Sequence, residues 1–432
     1  MDGQLSRRAA LTSGASSLAA VAGCLGIISG NDNGTGTTTG NGSGNGNEDT
    51  LKLGVLAPES GGRSKFGSAI RDAIELATGR VNESDTGYSV DLSVKDTEND
   101  PETAVEAATS LVDAGYQAFV GPAGDEATIR VTKNVLAQEG IVACSPLASA
   151  TDVFDVADDD LLFTTAPPAD KIGSGIARVG ALQGPDSVSV LHEQTPYART
   201  VTGNAESGFE PRGITIKNSV AVESGADSYG SKIESVMSDD PRALFVATEP
   251  ATGISLLETY FAEYDDVPVY LPDRMRFASL PETLGVSMDD DRVVGLRPRW
   301  RRGDSPFPEM FAGAYDRRPS IFAAQAYDAT VVLLLAIAAA GTDDYDGAEI
   351  AEKVRFVANK QSTIEGVRSP RAKNFPSTLQ ALSEGARANY KGPTGDVEFS
   401  QNAGFLIDIT LEALAFKPET EDGFEQTLPI SL

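Results

Sequence analysis

The sequence predicts an α/β fold of parallel sheets covered on both faces by helices. Three observations carry this. Short apolar runs recur along the chain, segments with helical apolar spacing separate them, and brief Gly/Pro-containing turns join the two. Leu51–Ala57 reads as the first strand. Ile70, Ala73, Ile74, Ala77 and Val81 then share one face of a helix, and Val90, Leu92 and Val94 alternate as the next strand. Asp100-Pro101 supplies an N-cap and a first-turn proline. Ala104, Val105, Ala108, Leu111 and Val112 form the apolar stripe of that helix, and Gly115 ends it. Tyr116–Val120 is a strand leading into a glycine loop. Further strands are expected near 141–145, 187–192, 214–222, 243–248 and 267–271, with helical segments between them.

Ile321–Ala340 is the most apolar segment of the chain. Its uninterrupted run, Ala329–Ala340, is shorter than the roughly 20 residues that a membrane span needs, and Gln325 and Asp328 precede it, so it reads as a buried core helix. The chain then changes character. Lys391–Ser400 and Phe405–Ile409 read as short strands joined by the turn-like Gln401-Asn402-Ala403-Gly404.

With 432 residues the chain has room for two ordinary domains. Its formal net charge is −28, and only 12 of its 35 basic residues are lysine. A solvated acidic surface poor in lysine is that of a protein kept soluble in high salt, where self-repulsion is screened over about 3 Å at 1 M. The composition therefore implies a halophilic, haloarchaeal source. The same charge would repel a polyanion, which excludes nucleic acid as a partner.

The first 24 residues read as a targeting segment rather than part of the fold. Ser6-Arg7-Arg8-Ala9-Ala10-Leu11 resembles a twin-arginine export signal, and the apolar segment Ala15–Gly23 is too short to span a membrane. Val21-Ala22-Gly23-Cys24 resembles a lipobox, with Cys24 as the lipidated residue. Residues 25–50 are rich in Gly, Asn, Thr and Ser and read as a flexible tether between anchor and domain. Cys144, in Ile141-Val-Ala-Cys-Ser145, is left without an intramolecular partner and reads as a small core residue.

Catalytic signatures are missing from the chain. There is no G-x-x-x-x-G-K-[ST] run for nucleotide hydrolysis and no G-x-S-x-G elbow. His192 is the sole histidine and cysteine pairs with zinc spacing do not occur, so no metal or cofactor is expected. Asp158-Asp159-Asp160 reads as solvated surface. The loop Gly121-Pro-Ala-Gly-Asp-Glu-Ala-Thr128 lies between a strand and a helix start, where α/β proteins hold ligands. Helix N-termini there usually attract phosphate, but Asp125 and Glu126 would repel it. The loop's side chains favour a cation or a hydrogen-bond donor. The bland alternative is that Asp125 only caps its helix.

From Leu51 to Phe416 the ordered motifs resemble the substrate-binding proteins of ABC transporters, specifically the branched-chain amino acid type with the type I periplasmic binding fold. The resemblance rests on Gly54-Val-Leu-Ala-Pro-Glu-Ser-Gly61, the Asp96–Val105 junction and Phe119-Val-Gly-Pro122. Ser145-Pro146 with Ser149-Ala-Thr151, Phe163-Thr-Thr-Ala-Pro167, and Gly392-Pro-Thr-Gly-Asp396 with Phe399 and Gly404 extend it. It implies two lobes of parallel sheet flanked by helices, joined by three crossovers near Thr165, Arg297 and Gly392. Residues 51–165 and 298–391 would form one lobe, 166–297 and 392–416 the other, and 417–432 a C-terminal tail.

The resemblance also implies a ligand held between the lobes. In relatives the loop matching Gly124, Asp125 and Glu126 is serine-rich and takes an α-carboxylate, so this chain departs from the pattern there. Ser149 matches a hydroxyl that contacts the ligand, Tyr197 an aromatic clamp, and Asp273 an acid that binds ammonium. Phe66 stands where an aromatic covers the ligand, and Thr248 ends a strand facing the cleft. Arg63, Arg274 and Arg276 in these loops would restore affinity for an anion, the bland alternative being that, like most exposed arginines, they are only solvated. The implied function is a lipid-anchored receptor that captures a small polar, amino acid-like solute and delivers it to a membrane permease with a separate ATPase. Alternatives are a receptor presenting ligand to a chemotaxis transducer, and an amidase-type hydrolase using Ser149 or Cys144 with His192.

Overall fold

The computed structural model describes residues 49–264, 266–275, 280, 284, 292–298, 305–341, 345–360, 371–407, 409–416 and 424–430. Arg7, Arg8, Cys24 and nearly all of the expected tether lie outside the described residues, as does Arg276. Twelve strands fall into two sheets, and the strand numbering follows the chain. The first sheet contains β1 (Asp49–Ala57), β2 (Tyr88–Asp96), β3 (Ala118–Val120), β4 (Val142–Ser145) and β5 (Leu162–Thr164), in the order β2-β1-β3-β4-β5. All its pairings are parallel. The second contains β6 (Ser187–Glu193), β7 (Thr215–Val222), β8 (Leu244–Ala247), β9 (Val269–Leu271) and β10 (Val293–Pro298). After the two-residue strands β11 (Lys391–Gly392) and β12 (Gly395–Asp396), β13 (Leu411–Phe416) and β14 (Phe424–Ile430) complete it, in the order β14-β13-β10-β9-β8-β6-β7.

Strand parity explains why both faces are covered. In the first sheet Leu53, Val55, Val120, Val142 and Cys144 point into one core, while Leu56, Phe119, Ala143 and Leu162 point into another. The second sheet repeats the arrangement: Val188, Val190, Phe245, Tyr270 and Leu296 lie on one side, and Leu191, Leu244, Val246, Leu271 and Val293 on the other. Side chains alternate across a strand, so a strand buried on both faces must be apolar throughout. That is why these runs lack the polar alternation of a half-exposed strand.

The helices form as the sequence expects. Asp100 caps the helix Pro101–Asp113 by accepting from the backbone N–H of Glu102 and Thr103, with Pro101 in its first turn. The helix Ala323–Ala340 is buried along almost its whole length and packs with β1, β3 and β4. Leu333, Leu334, Leu335, Val331, Val332 and Ile337 are all without solvent exposure. Each such side chain stabilises the fold by roughly 1.5–3 kcal/mol.

Two of the three expected crossover positions are tied down by a polar contact, and the third by close packing. Thr165 Oγ1 donates to the carbonyl of Gln325 at 2.8 Å, Asp328 lies against Gly392, and Arg297 pairs with Glu412 between β10 and β13. The route after Gly392 differs from the expected one. Val397, Phe399 and Leu406 pack in the core of the first sheet, Phe399 edge-on to Phe163, and Thr164 N–H donates to the Gly404 carbonyl at 2.8 Å. The chain joins the second sheet only at Leu411, where β13 pairs antiparallel with β10. Phe424–Ile430, expected in a tail, is the edge strand β14.

Candidate functional site

The C-terminal ends of strands from both sheets meet at one group of polar side chains. Arg63 follows β1, Asp125 follows β3 and Ser149 follows β4. From the second sheet, Tyr197 follows β6, Thr248 and Glu249 follow β8, and Asp273 and Arg274 follow β9. Open parallel sheets place ligands at such strand ends.

Local sequence builds each arm. Ser145 Oγ and Thr128 Oγ1 both donate to the Pro122 carbonyl, at 2.6 and 3.0 Å, which fixes the glycine loop against the β4 turn. Gly124 has φ +143°, a region that side chains rarely adopt, and a Cβ there would lie 2.6 Å from Arg63 Nη1. Glycine at this position lets the Arg63 guanidinium run against the loop. Thr195 caps the helix Pro196–Phe209 and so orients Tyr197 in its first turn. Glu193 is buried at the end of β6 and accepts from Glu249 N–H at 2.6 Å, from Ser224 Oγ at 2.7 Å and from Thr252 Oγ1.

Arg274 is the centre of the group, with a side chain only 1% exposed. Its Nη1 donates to Glu249 Oε1 at 2.7 Å. Its Nη2 donates to Asp125 Oδ2 at 2.7 Å, to the Leu147 carbonyl at 3.1 Å and to Ser149 Oγ at 3.2 Å. The guanidinium carbon lies 3.7 Å from the ring centroid of Tyr197, a close cation–π contact. Tyr197 donates its hydroxyl to Asp273 Oδ1. Arg63 pairs with Glu249 from the other side, Nη2 to Oε1 at 2.8 Å and Nε to Oε2 at 3.2 Å. The result is a chain, Arg63–Glu249–Arg274–Asp125, that starts and ends on loops of the first sheet and passes through the second.

The electrostatics follow from these contacts. Burial opposes the charge of Glu249, but Arg63 and Arg274 outweigh it and hold the carboxyl down to about 2. Burial likewise opposes the charge of Arg274, and Asp125 and Glu249 outweigh it, so the guanidinium is held above its ordinary range. Burial pushes the Asp273 carboxyl up against the opposing influence of Tyr197 and Arg274. Burial and then the Asp273 charge push the Tyr197 phenol well up, so it stays a donor.

Among the residues expected at the site, Asp125, Ser149, Tyr197 and Asp273 come together around Arg274. Thr248 is buried beside them, its Oγ1 3.7 Å from Met275 Sδ. Phe66 is elsewhere: it is 7% exposed within the core of the first sheet, edge-on to Phe322 with centroids 5.5 Å apart. Asp125 does not cap its helix. Gly124 is the N-cap of the helix Asp125–Val131, and Asp125 Oδ1 instead accepts from the N–H groups of Ser149 and Ala150 at 2.7 and 2.8 Å. Cys144 is fully buried, and burial followed by the charge of Asp328 pushes its thiol far up. Sequence reasoning missed the weight of Arg274, which it read as solvated, and did not single out Glu249 or Glu193. A glutamate before Pro250 at a strand end carries no signal that distinguishes it from an ordinary helix start.

Comparison with known proteins bears on this arrangement. A family model described as periplasmic binding protein matches residues 50–407. The chain is 29% identical over 105 residues to the Leu/Ile/Val-binding protein BraC3 of Rhizobium johnstonii, covering 24% of this chain and 28% of that one. It is 21% identical over 205 residues to Leu/Ile/Val-binding protein homolog 3 of Brucella melitensis, covering 47% and 55%. The matches thus span about a quarter to about half the length of these relatives. Among solved structures, the leucine binding protein LivK of Thermotoga maritima superposes with a TM-score of 0.71 at 19% identity, over 88% of this chain and 98% of that one. The branched-chain amino acid transporter substrate binding protein LivJ of Streptococcus pneumoniae, in complex with isoleucine, gives 0.71 at 17% identity over 88% and 99%. An ABC transporter solute binding protein of R. palustris in complex with benzoate gives 0.69 at 17%, over 88% and 96%. The shared fold is the two-lobed type I periplasmic binding architecture of parallel sheets flanked by helices.

Proposed function

Because the chain belongs to the periplasmic binding protein family, we propose that it is an extracytoplasmic solute receptor of an ABC import system. In this reading it captures a small polar, amino acid-like ligand between its two lobes and delivers it to a membrane permease driven by a separate ATPase. The observation that carries the reading is the convergence of strand-end polar side chains from both sheets on one buried place, with Asp125 and Ser149 on one side and Tyr197, Glu249 and Asp273 on the other. Solute receptors hold ligands between two bodies in this way, so that binding energy and lobe closure are the same event.

The finer parts of the proposal come from the sequence. Arg7 and Arg8 direct export, Cys24 carries a lipid that holds the protein at the outer face of the membrane, and the acidic composition suits a halophilic source. Phe66 takes no part in the ligand contacts proposed here, whereas Thr248 supports them from the strand end.

Mass spectrometry of small molecules released from the purified protein, followed by calorimetry with the compound found, tests the reading. A stoichiometric amino acid-like ligand is the expected result. A purified protein that carries no small molecule and gives no heat with amino acids or aromatic acids would overturn it.

A further inference from the structure

We infer that Arg274 is a built-in occupant of the ligand site: its guanidinium fills the place of a ligand's positive group, bridges the two sheets, and leaves only when a guanidinium- or ammonium-bearing solute takes its contacts. The inference deepens the receptor reading and rests on it in one respect, that ligand enters at this junction.

The surroundings of Arg274 form a complete receptor for a planar cation. Asp125 and Glu249 supply carboxylates, Leu147 a carbonyl, Ser149 a hydroxyl, and Tyr197 an aromatic face. This set of acceptors suits the guanidinium fork, which is planar, permanently charged and weakly hydrated. The partners also come from both bodies. Asp125, Leu147 and Ser149 belong to loops of the first sheet, while Glu249, Tyr197 and Arg274 itself follow strands of the second. A side chain so placed holds the two sheets together as a ligand would.

Charge balance decides the class of ligand. Arg63 and Arg274 pair with Asp125 and Glu249, and the buried Asp273 and Glu193 add further acidic side chains, so the site favours positive charge. A cation that replaces Arg274 leaves both carboxylates paired. An added anion would have to pull a guanidinium away from its carboxylate and strand a buried charge, which is strongly unfavourable. Exchange of cation for cation preserves the balance. Because Arg274 is tethered to the site, its effective concentration there is high, and a soluble competitor meets it as a standing inhibitor.

Methylguanidinium is the probe, titrated calorimetrically into the full chain and into Arg274→Ala, with tetramethylammonium at equal ionic strength as the control lacking N–H donors. Arg274→Ala is expected to bind methylguanidinium at least about tenfold more tightly than the wild type, because the competing occupant is gone. Its melting temperature should rise with methylguanidinium and not with tetramethylammonium. Equal affinity in the two proteins, or no binding by a folded Arg274→Ala, overturns the inference. Should that variant fail to fold, Arg274→Lys keeps the charge but cannot fork between Asp125 and Glu249, and it is expected to bind methylguanidinium more tightly than the wild type. A wild-type response from Arg274→Lys then overturns the inference. A wild type that carries no small molecule and binds neither amino acids nor aromatic acids would sink the receptor reading while leaving the exchange intact; wild-type-like variants in a protein that does bind one would do the reverse.

Discussion

Tyr390 donates its hydroxyl to Asp328 Oδ1 across 2.7 Å, with both side chains wholly shielded from solvent. Asp328 Oδ2 accepts from Thr394 as well, from N–H at 3.0 Å and Oγ1 at 2.6 Å. The carboxyl thereby ties the core helix Ala323–Ala340 to the turn between β11 and β12. Burial pushes its pKa up from 3.8 to about 7, against the lowering effect of those hydrogen bonds. The folded state therefore binds the extra proton. The stability this group contributes is fully present below the unfolded value, near 4, and is lost as pH rises through about 7. At about 1.4 kcal/mol per unit the change is on the order of a few kcal/mol. Urea midpoints should fall between about pH 5 and about pH 8, and Asp328→Asn should flatten that slope. An unaltered slope in the variant would place the titration elsewhere.

Gly392 is required for steric reasons. A Cβ there would fall well inside van der Waals contact of the Asp328 carboxylate. Gly392→Ala should cost about 1–3 kcal/mol, the usual range for overpacking. Denaturant titration of the variant checks the statement, and a Gly392→Ala protein of wild-type stability would refute it.

Asp125→Ala and Asp125→Ser should each destabilise the protein by about 3–5 kcal/mol, since either leaves Arg274 buried without one of its two carboxylates. Asp125→Asn keeps an oxygen for the N–H groups of Ser149 and Ala150 and should lose less. An Asp125→Ser variant of wild-type stability would refute the ion pair with Arg274 as the residue's role.

Asp273→Asn should weaken binding of the identified ligand by about 2–5 kcal/mol, roughly 30-fold to several thousand-fold, if its charge meets the ligand. Tyr197→Phe keeps the ring beneath Arg274 but removes the hydroxyl that Asp273 accepts, a bond to a charged group worth about 1.5–3 kcal/mol. Wild-type affinity in both variants, measured by calorimetry, would sink the assignment of these two residues to the site.

Cys24→Ser should release the protein from membranes. Even one acyl chain gives only marginal binding, about 10⁴ M⁻¹, so anchoring depends on the whole lipid modification. The measurement is fractionation after a high-salt wash, and a variant that still sediments with membranes refutes the anchor.

Much of the fold was legible because it depends on local periodicity. The central strand runs such as Val142–Ser145 and Leu244–Ala247 were mostly apolar, Val90, Leu92 and Val94 alternated in an edge strand, Asp100-Pro101 announced its helix, and the polar Gln325 and Asp328 marked Ala323–Ala340 as a core helix. The route of the last segment was less legible. Whether Val397, Phe399 and Leu406 pack on the first sheet or the second depends on which surface is free, and their spacing carries no such information. At the site, each loop could be found from its place after a strand, but its partners could not. Asp125 and Arg274 stand on different sheets, and nothing near Arg274 in the chain distinguishes a buried arginine from a solvated one.

The core helix Ala323–Ala340 has a consequence for synthesis. All five strands of the first sheet are translated by Thr164, yet a helix that covers one of its faces is translated only after β10 is complete. Throughout that interval the inner face of the first sheet is covered only in part, by the helix Ser64–Asn82. Exposed apolar surface of this kind is what makes partly made chains stick to one another. A nascent chain halted before Ala340 is thus an aggregation-prone fragment, and a helix about three-quarters of the way along the 432 residues decides whether the first sheet can fold.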